Sequence, residues 1–127
     1  MNLNQITLVV TNLERSIEFY QSLGLILIVS SGNPYARFEL PAGDATLSLH
    51  VEEEPVTAGS VRLYFEVADV LKRVRELEQQ GLEFETQPID QRWLWTEAWL
   101  KDPDGHRLCI FHAGENRKNP PWRLEEQ

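Results

Sequence analysis

The chain has 127 residues and a formal net charge of −8, and a quarter of its residues are charged. This length and composition predict one soluble globular domain, residues 1–127, and exclude a disordered chain. The acidic balance argues against a nucleic-acid partner, and the single cysteine excludes an internal disulfide or a cysteine-rich zinc module. The first ten residues lack the basic segment of a signal peptide and an apolar run long enough to span a membrane, so we expect a cytoplasmic protein.

The first half of the chain predicts a strand, a helix and three further strands. The alternating, β-branched segment NQITLVV (4–10) is the first strand. Asn12 is an N-cap for the helix, and Gly24 ends it. The apolar face of this helix consists of Leu13, Ile17 and Tyr20. Turn-forming clusters separate the three strands that follow, which are LILIVSS (25–31), YARFEL (35–40) and TLSLHVE (46–52).

The second half repeats this order. SVRLYFEV (60–67) is a strand, Asp69 is the N-cap of a second helix, and Gly81 ends it. The apolar face of this helix consists of Val70, Leu71, Val74 and Leu77. The three further strands are LEFETQ (82–87), LWTEAWL (94–100) and HRLCIFH (106–112). Between the last two, KDPDGH predicts a hairpin with Pro103 at turn position i+1 and Gly105 at a positive φ.

A constant offset relates the two halves, because Asn12 and Asp69, like Gly24 and Gly81, are 57 residues apart. We therefore predict an α+β fold of two βαβββ modules that form a curved mixed sheet with helices on its outer face. The predicted boundaries are module one, 4–51; a linker, 52–60; module two, 61–112; and a C-terminal tail, 113–127.

One face of each predicted sheet is free to line a cavity. Side chains alternate along a strand, so Ile6, Leu8 and Val10 face the helix and leave Gln5 on the opposite face. The 57-residue offset assigns that same face to three residues of the second module, Arg62, Tyr64 and Glu66.

The segment RWLWTEAWL gathers aromatic residues on one strand face. Trp95, Glu97 and Trp99 share that face, and Trp93 lies just outside it. The alternate residues Leu94, Ala98 and Leu100 suit the helix side. Two or three indoles beside one carboxylate indicate a pocket for a flat or cationic ligand, and a tryptophan-rich dimer interface is the alternative.

The chain resembles the vicinal oxygen chelate superfamily, which includes glyoxalase I, extradiol dioxygenases, fosfomycin-resistance proteins and bleomycin-resistance proteins. The resemblance is carried by NQITLVVTNLERSIEFYQSLGL, VRLYFEVADVLKRV and WTEAWLKDPDGHRLCIF. It implies the two-module fold without fixing an activity, because this fold hosts several chemistries. It also implies that Glu97 matches a glutamate that bleomycin-resistance proteins carry in the same strand.

Metal-dependent members of this superfamily hold a divalent ion with His or Glu at four places. In this chain those places carry Gln5, Ser48, Arg62 and Cys109. Gln and Ser are poor ligands, and a guanidinium about 4 Å from a divalent ion costs roughly 8 kcal/mol even at a dielectric of 20. We therefore expect no cofactor and no metal at this place, with a displaced divalent metal site as the alternative.

Three residues are candidates for catalysis. His50, which has the parity of Ser48, is a general base, a metal ligand or a polar wall residue. Glu97 is the second candidate. Cys109 as a nucleophile needs a nearby base or a cation such as Arg62, and the simpler interpretation is a small residue that fills space in the sheet.

Arg37 and Arg62 together offer cationic donors for a carboxylate or a phosphate, and ion pairs with Glu39, Glu66 or Glu97 are the alternative. The full predicted ligand-binding set is Gln5, Arg37, Ser48, His50, Arg62, Tyr64, Trp95, Glu97, Trp99 and Cys109.

The favoured interpretation is a metal-free protein, similar to bleomycin-resistance proteins, that binds or sequesters a small organic molecule as a homodimer. The first alternative is a glyoxalase-type lyase or dioxygenase-like enzyme, which uses a displaced metal site around His50 and Glu97 or metal-free acid–base chemistry. The second is an interaction module whose tryptophan face is an interface.

Overall fold

The structure is a computed structural model that describes residues 1–52 and 57–125. It divides into two compact units: Met1–Ser60 with Asp102–His106, and Val61–Lys101 with Arg107–Gln127. Residues 53–56 of the predicted linker and 126–127 of the predicted tail lie outside the described residues. Within the described part of the chain, no helix is long and apolar enough to cross a membrane.

The first unit contains a four-stranded sheet and one helix. Its elements are β1 (Gln5–Val10), α1 (Leu13–Leu23), β2 (Ile26–Ser30), β3 (Tyr35–Glu39) and β4 (Thr46–Val51). The strand order is β1-β4-β3-β2, with β1 and β4 parallel and the other pairs antiparallel. Helix α1 contacts β2, β3 and β4. The fully buried side chains Val10, Tyr20, Phe38 and Leu49 form the centre of this core.

Both ends of α1 are capped by the predicted residues, Asn12 and Gly24. The Asn12 side chain accepts a hydrogen bond from the Arg15 backbone N–H at 3.0 Å, which satisfies one of the free donors of the first turn. Gly24 has a φ of 111°, and its N–H bonds to the Gln21 carbonyl at 3.0 Å. A residue with a Cβ would be strained in this left-handed conformation, so glycine is favoured there.

The Asp102–His106 turn belongs to the first unit, although its residues connect two strands of the second. One carboxylate oxygen of Asp102 accepts the backbone N–H groups of Asp104 and His106, both at 2.9 Å. The other accepts the Tyr20 hydroxyl at 2.7 Å. Gly105 has a φ of +88° and donates to the Asp102 carbonyl, as the predicted turn requires. Burial, and after it the Asp102 charge, raise the pKa of Tyr20 far above its ordinary value.

The second unit repeats the same arrangement. Its elements are β5 (Arg62–Glu66), α2 (Val70–Gln79), β6 (Ile89–Asp90), β7 (Thr96–Lys101) and β8 (Arg107–His112), followed by a short 3-10 helix (Gly114–Asn116). The strand order is β5-β8-β7-β6, with β5 and β8 parallel. The Asp69 side chain caps α2 by accepting from the Lys72 N–H at 3.1 Å. Gly81 has a φ of +95° just beyond the helix.

The α+β class and the two βαβββ modules are thus confirmed, with one four-stranded sheet in each module. Three details of the prediction are wrong. The segment 82–87 is not a strand: Phe84 makes an isolated bridge to Leu100, and the first of the three strands after α2 is instead Ile89–Asp90. Pro88 cannot donate a backbone hydrogen bond, which fits the interruption of strand pairing there.

The other two errors concern leucines that were predicted to be buried, Leu71 on the apolar face of α2 and Leu94 on the helix side of its strand. Leu71 is exposed, because the buried face of α2 follows the i, i+4, i+7 spacing of Val70, Val74 and Leu77. Leu94 is also exposed and precedes β7: it lies in the turn between β6 and β7 with a φ of 69°, and its N–H bonds to the Gln91 carbonyl.

A candidate ligand-binding pocket in the second unit

The sheet face of the second unit opposite α2 carries an open pocket of about 700 Å³, which we call the indole pocket. Its lining residues come from β5, β7, β8 and the segment between α2 and β7. They are Arg62, Tyr64, Glu85, Thr86, Gln91, Trp93, Trp95, Glu97, Trp99 and Arg107. Helix α2 contacts β7 and β8 on one face of the sheet. The opposite face, which carries the pocket, is therefore free for aromatic and charged side chains.

Strand register brings the aromatic residues together. Tyr64 pairs with Cys109 across β5 and β8, and Cys109 pairs with Trp99 across β8 and β7. Directly paired residues point to the same side of a sheet, so Tyr64 and Trp99 flank Cys109. By the same rule Glu97, which pairs with Phe111, lies on this face.

The aromatic rings pack against one another within the pocket wall. Tyr64 makes edge-on contacts with Trp95, Trp99 and Phe111, with ring centroids 5.9, 5.4 and 5.6 Å apart. Trp95 stacks on Phe111 at 4.8 Å, and its indole N–H donates to the Asn116 carbonyl at 3.3 Å. Two of the three indoles, Trp95 and Trp99, therefore also cover a small core of Cys109, Phe111 and Ala113.

Glu97 lies at the base of the pocket and is only 5% exposed. One of its carboxylate oxygens accepts the Trp93 indole N–H at 2.8 Å, and the other accepts the Trp99 indole N–H at 3.2 Å. Among the described residues, no cation lies within ion-pair distance of this carboxylate. Glu97 thus fixes the orientation of two indoles, and Trp93, still 39% exposed, offers its ring to a ligand.

Cys109 is fully buried beneath Trp95 and Trp99. Burial, and after it the charge of Glu97, raise the pKa of the Cys109 thiol to about 12, so the thiol stays protonated at neutral pH. A nucleophile or a metal ligand requires the thiolate. The burial and the high pKa therefore favour the interpretation of Cys109 as a residue that fills space.

The other predicted site residues belong to the first unit and are not among those that line the indole pocket. Gln5 accepts from the Thr46 hydroxyl at 3.0 Å, and His50 Nδ1 lies 3.7 Å from a Glu52 carboxylate oxygen. Arg37 and Ser48, paired across β3 and β4, both contact Tyr35.

Tyr35 is the centre of a small polar cluster with these two residues. Its hydroxyl lies 2.6 Å from the buried Ser48 hydroxyl and accepts the Arg37 Nε–H at 2.9 Å. The Ser48 hydrogen bond first, and the Arg37 hydrogen bond and charge after it, lower the pKa of Tyr35, although partial burial acts in the opposite direction. Tyr35 was not among the predicted site residues, although strand alternation places it on the same face of β3 as Arg37.

Sequence reasoning located Arg62, Tyr64, Trp95, Glu97 and Trp99 on the pocket wall and missed the other lining residues. The missed residues are Glu85, Thr86, Gln91, Trp93 and Arg107. Arg107 has the parity of Cys109 on β8, so the alternation of that strand was a sufficient signal for it. The other four precede β7 outside regular strands, where alternation predicts no direction.

Metal-dependent members of the superfamily hold a divalent ion at four places, and the side chains that this chain has there do not suit such an ion. The hydroxyl of Ser48 is buried and bonded to Tyr35, the thiol of Cys109 is fully buried beneath Trp95 and Trp99, and Arg62 has no electron pair to donate. Within residues 1–52 and 57–125, no three His, Cys, Asp or Glu side chains form a group suited to a metal ion.

Two curated bacterial proteins are similar to this chain over most of its length. The chain is 32% identical over 125 residues to the uncharacterized protein YraH of Bacillus subtilis (strain 168), covering 87% of this chain and 98% of YraH. It is 30% identical over 122 residues to the trivalent organoarsenical cleaving enzyme of Bacillus sp. (strain MD1), covering 88% of this chain and 76% of that enzyme.

Solved structures share the fold at lower sequence identity. A glyoxalase/bleomycin resistance protein/dioxygenase from Nocardioides has a TM-score of 0.78 at 23% identity, covering 98% of this chain and 90% of that one. A lactoylglutathione lyase from Agrobacterium tumefaciens has a TM-score of 0.72 at 16% identity, covering 87% and 92%. The model of one protein family matches residues 2–110. The chain belongs to the glyoxalase/bleomycin resistance protein/dioxygenase superfamily.

Proposed function

We propose that this protein binds a small, flat organic molecule in the indole pocket, without the metal ion of its metal-dependent relatives. The observation that carries the proposal is the set of three indoles and Tyr64 around one open pocket, with Glu97 holding two of the indoles by their N–H groups. Aromatic side chains that are already fixed lose little conformational entropy when a planar ligand stacks on them. Each stacking contact also buries a large apolar area of the ring and of the ligand.

Tryptophan fluorescence provides the test of this proposal. A panel of planar organic molecules is titrated into the whole protein, and saturable quenching is expected for a subset. The Trp93 ring is an exposed part of the pocket wall and lies outside the sheet. Trp93→Ala removes this ring and is expected to weaken binding roughly tenfold. The matched control is Trp122→Ala, which removes an exposed indole of the tail. Equal weakening by both variants would contradict the proposal.

Binding or sequestration, as in bleomycin-resistance proteins, is the form of the function that we propose. It predicts that a bound ligand is recovered chemically unchanged after prolonged incubation with stoichiometric protein. Mass spectrometry of the extracted ligand tests this point, and steady formation of a product would favour an enzyme.

Metal-free acid–base catalysis is the second candidate, and the Tyr35 cluster is the observation that favours it. A phenol that accepts an arginine N–H and has a lowered pKa is suited to proton transfer. The test is a screen of carbonyl compounds for proton exchange with solvent deuterium, in which Tyr35→Phe is expected to abolish any exchange that the protein catalyses.

Cleavage of trivalent organoarsenicals, the activity in the name of one relative, is not carried over to this chain. Trivalent arsenic is a soft centre that binds thiolates, and the single cysteine here is buried and protonated. Incubation with a trivalent organoarsenical is therefore expected to release no inorganic arsenite.

We also propose that the protein is a cytoplasmic homodimer. The support for the dimer is apolar exposure at the end of the first sheet, where Ile26 and Ile28 of the edge strand β2 are each 46% exposed. Sedimentation velocity tests it, and Ile28→Lys is expected to shift the protein towards monomer. A reduced buried thiol is in keeping with a cytoplasmic location, which fractionation of the native cells tests.

A further inference from the structure

Three cationic residues are aligned across the second sheet at one end of the indole pocket. Arg62 of β5 pairs with Arg107 of β8, and Arg107 pairs in turn with Lys101 of β7. Like charges in directly paired positions destabilise a sheet unless counter-charges lie close by. Lys101 has such a partner, since its ammonium lies 3.4 Å from a Glu85 carboxylate oxygen.

The two arginines have no such partner among the described residues: no carboxylate lies within ion-pair distance of either guanidinium. Both nevertheless line the pocket. The guanidinium carbon of Arg62 lies 5.7 Å from the centre of the Trp99 ring, which orients the group beside the pocket wall. The two guanidinium groups are thus unpaired and lie on adjacent strands. Carboxylates and phosphates bind to guanidinium groups arranged in this way, because each group donates two parallel hydrogen bonds.

Neither carboxylate of the pocket forms an ion pair with Arg62 or Arg107. Glu97 is buried and both its oxygens accept indole N–H groups, whereas Glu85 is paired with Lys101. The whole chain carries a net charge of −8, so a general attraction for anions is excluded and any preference for them is local to the arginines.

We infer that the ligand of the indole pocket is a planar organic anion, whose carboxylate, phosphate or sulfonate group is held by Arg62 and Arg107 while its ring lies against the indoles. The inference rests on the proposed function. It keeps the flat ligand that the aromatic strand predicts and replaces the cationic alternative with an anion. An anion also relieves the repulsion between the paired arginines, so binding is expected to stabilise the second unit.

The experiment compares three probes that share one ring and differ in charge: 1-naphthylacetate, 1-naphthylacetamide and 1-naphthylmethylammonium. Calorimetric titration of the whole protein at neutral pH is expected to show the acetate binding roughly tenfold more tightly than the acetamide, and the ammonium most weakly. Arg62→Gln and Arg107→Gln are each expected to remove most of this preference while changing acetamide binding by about twofold or less.

Arg75→Gln is the matched control, because it removes the same charge from the exposed surface of α2, away from the pocket. It is expected to retain the preference for the acetate. If acetate and acetamide bind equally, or if the ammonium binds best, and Trp93→Ala still weakens binding, the anion inference is overturned and the proposed function stands. If none of the probes binds at millimolar concentration, both fail.

Discussion

Glu97 lines the indole pocket, Cys109 is buried beneath its indoles, and the two residues have different roles. The Glu97 carboxylate is buried at the cost of its hydration, and two indole N–H groups replace that hydration in part. The same negative charge adds to burial in raising the pKa of the Cys109 thiol. A single substitution at Glu97 therefore affects the indole geometry and the thiol together.

The first prediction concerns the reactivity of Cys109. With its pKa raised to about 12, the thiolate fraction at pH 8 is roughly a thousandfold below that of an ordinary cysteine, and the side chain is also fully buried. We expect DTNB to label the folded protein at least about a thousandfold more slowly than the protein unfolded in guanidinium chloride. Comparable labelling rates for the two states would show that the thiol is accessible and ionised.

The same raised pKa predicts a loss of stability in alkali. The unfolded chain ionises its thiol near the ordinary pKa of about 8.5, whereas the folded chain keeps the proton up to about pH 12. The contribution of this group is therefore complete below pH 8.5 and is lost as the pH rises towards 12. Cys109→Ser, which does not titrate in this range, is expected to show a shallower decline in urea unfolding free energy; an identical slope would contradict the assignment.

The hydrogen bond between Tyr20 and Asp102 gives a prediction on stability. Tyr20→Phe removes the donor to one oxygen of a buried carboxylate, which costs about 1–3 kcal/mol of unfolding free energy measured in urea. The control is Tyr64→Phe, which removes a hydroxyl that bonds to no described residue from a side chain that is 43% exposed, at a cost of roughly 0.5 kcal/mol or less. Equal losses would show that the hydrogen bond to Asp102 is unimportant.

At the scale of secondary structure, the correct predictions were those of features that depend on interactions between residues close together in the chain. Asn12 and Asp69 each satisfy a free N–H of their own helix, so a cap can be recognised without knowing what the helix packs on. Segment 82–87 was predicted wrongly because its pairing depends on a distant partner. The Glu85 and Thr86 N–H groups both approach the Trp99 carbonyl, and the Thr86 hydroxyl accepts the Trp99 N–H, an edge arrangement that sequence alternation does not encode.

The 3-10 helix after β8 is attached to the sheet through one side chain. A Glu66 carboxylate oxygen accepts the Ala113 N–H at 2.7 Å and the Gly114 N–H at 2.9 Å. Partial burial would raise the pKa of Glu66, but these hydrogen bonds, with the nearby His112 and Arg117, lower it below its ordinary value. The attachment is therefore complete above the ordinary pKa of a glutamate, about 4.3, and is lost as the pH falls through the lower folded value.

We predict that Glu66→Ala frees this helix at neutral pH. Loss of the charge-assisted hydrogen bonds is expected to increase amide exchange at Ala113 and Gly114 roughly tenfold, as measured by NMR. Glu115→Ala, an exposed carboxylate in the same helix, is the control and should leave these amides protected. Unchanged exchange in Glu66→Ala would show that the helix is held by other contacts, such as the hydrogen bond from Trp95 to Asn116.

At the scale of the whole molecule, the repeat predicted the architecture, while the site was predicted only on the strands and directly beside them. The 57-residue offset places the start of α1 at Leu13 and that of α2 at Val70, as the structure has them. Strand alternation identified Tyr64, Trp99 and also Trp95, which directly precedes β7, but Trp93 lies in the turn before it. Its approach to Glu97 depends on that turn and not on a repeating pattern.

The final prediction is that divalent cations do not stabilise this protein. An ion that binds only the folded chain raises its stability by about 2.7 kcal/mol at a hundredfold excess over its Kd, which shifts the unfolding midpoint by several degrees. Here one of the usual ligand places carries a guanidinium, another a buried hydroxyl that is bonded to Tyr35, and a third a thiol that is buried beneath two indoles. We therefore expect thermal unfolding of untagged, EDTA-treated protein to be unchanged by Fe²⁺, Ni²⁺ or Zn²⁺. A saturable rise in the midpoint that a chelator reverses would show that a divalent site exists, and would favour the metal-dependent alternative over binding alone.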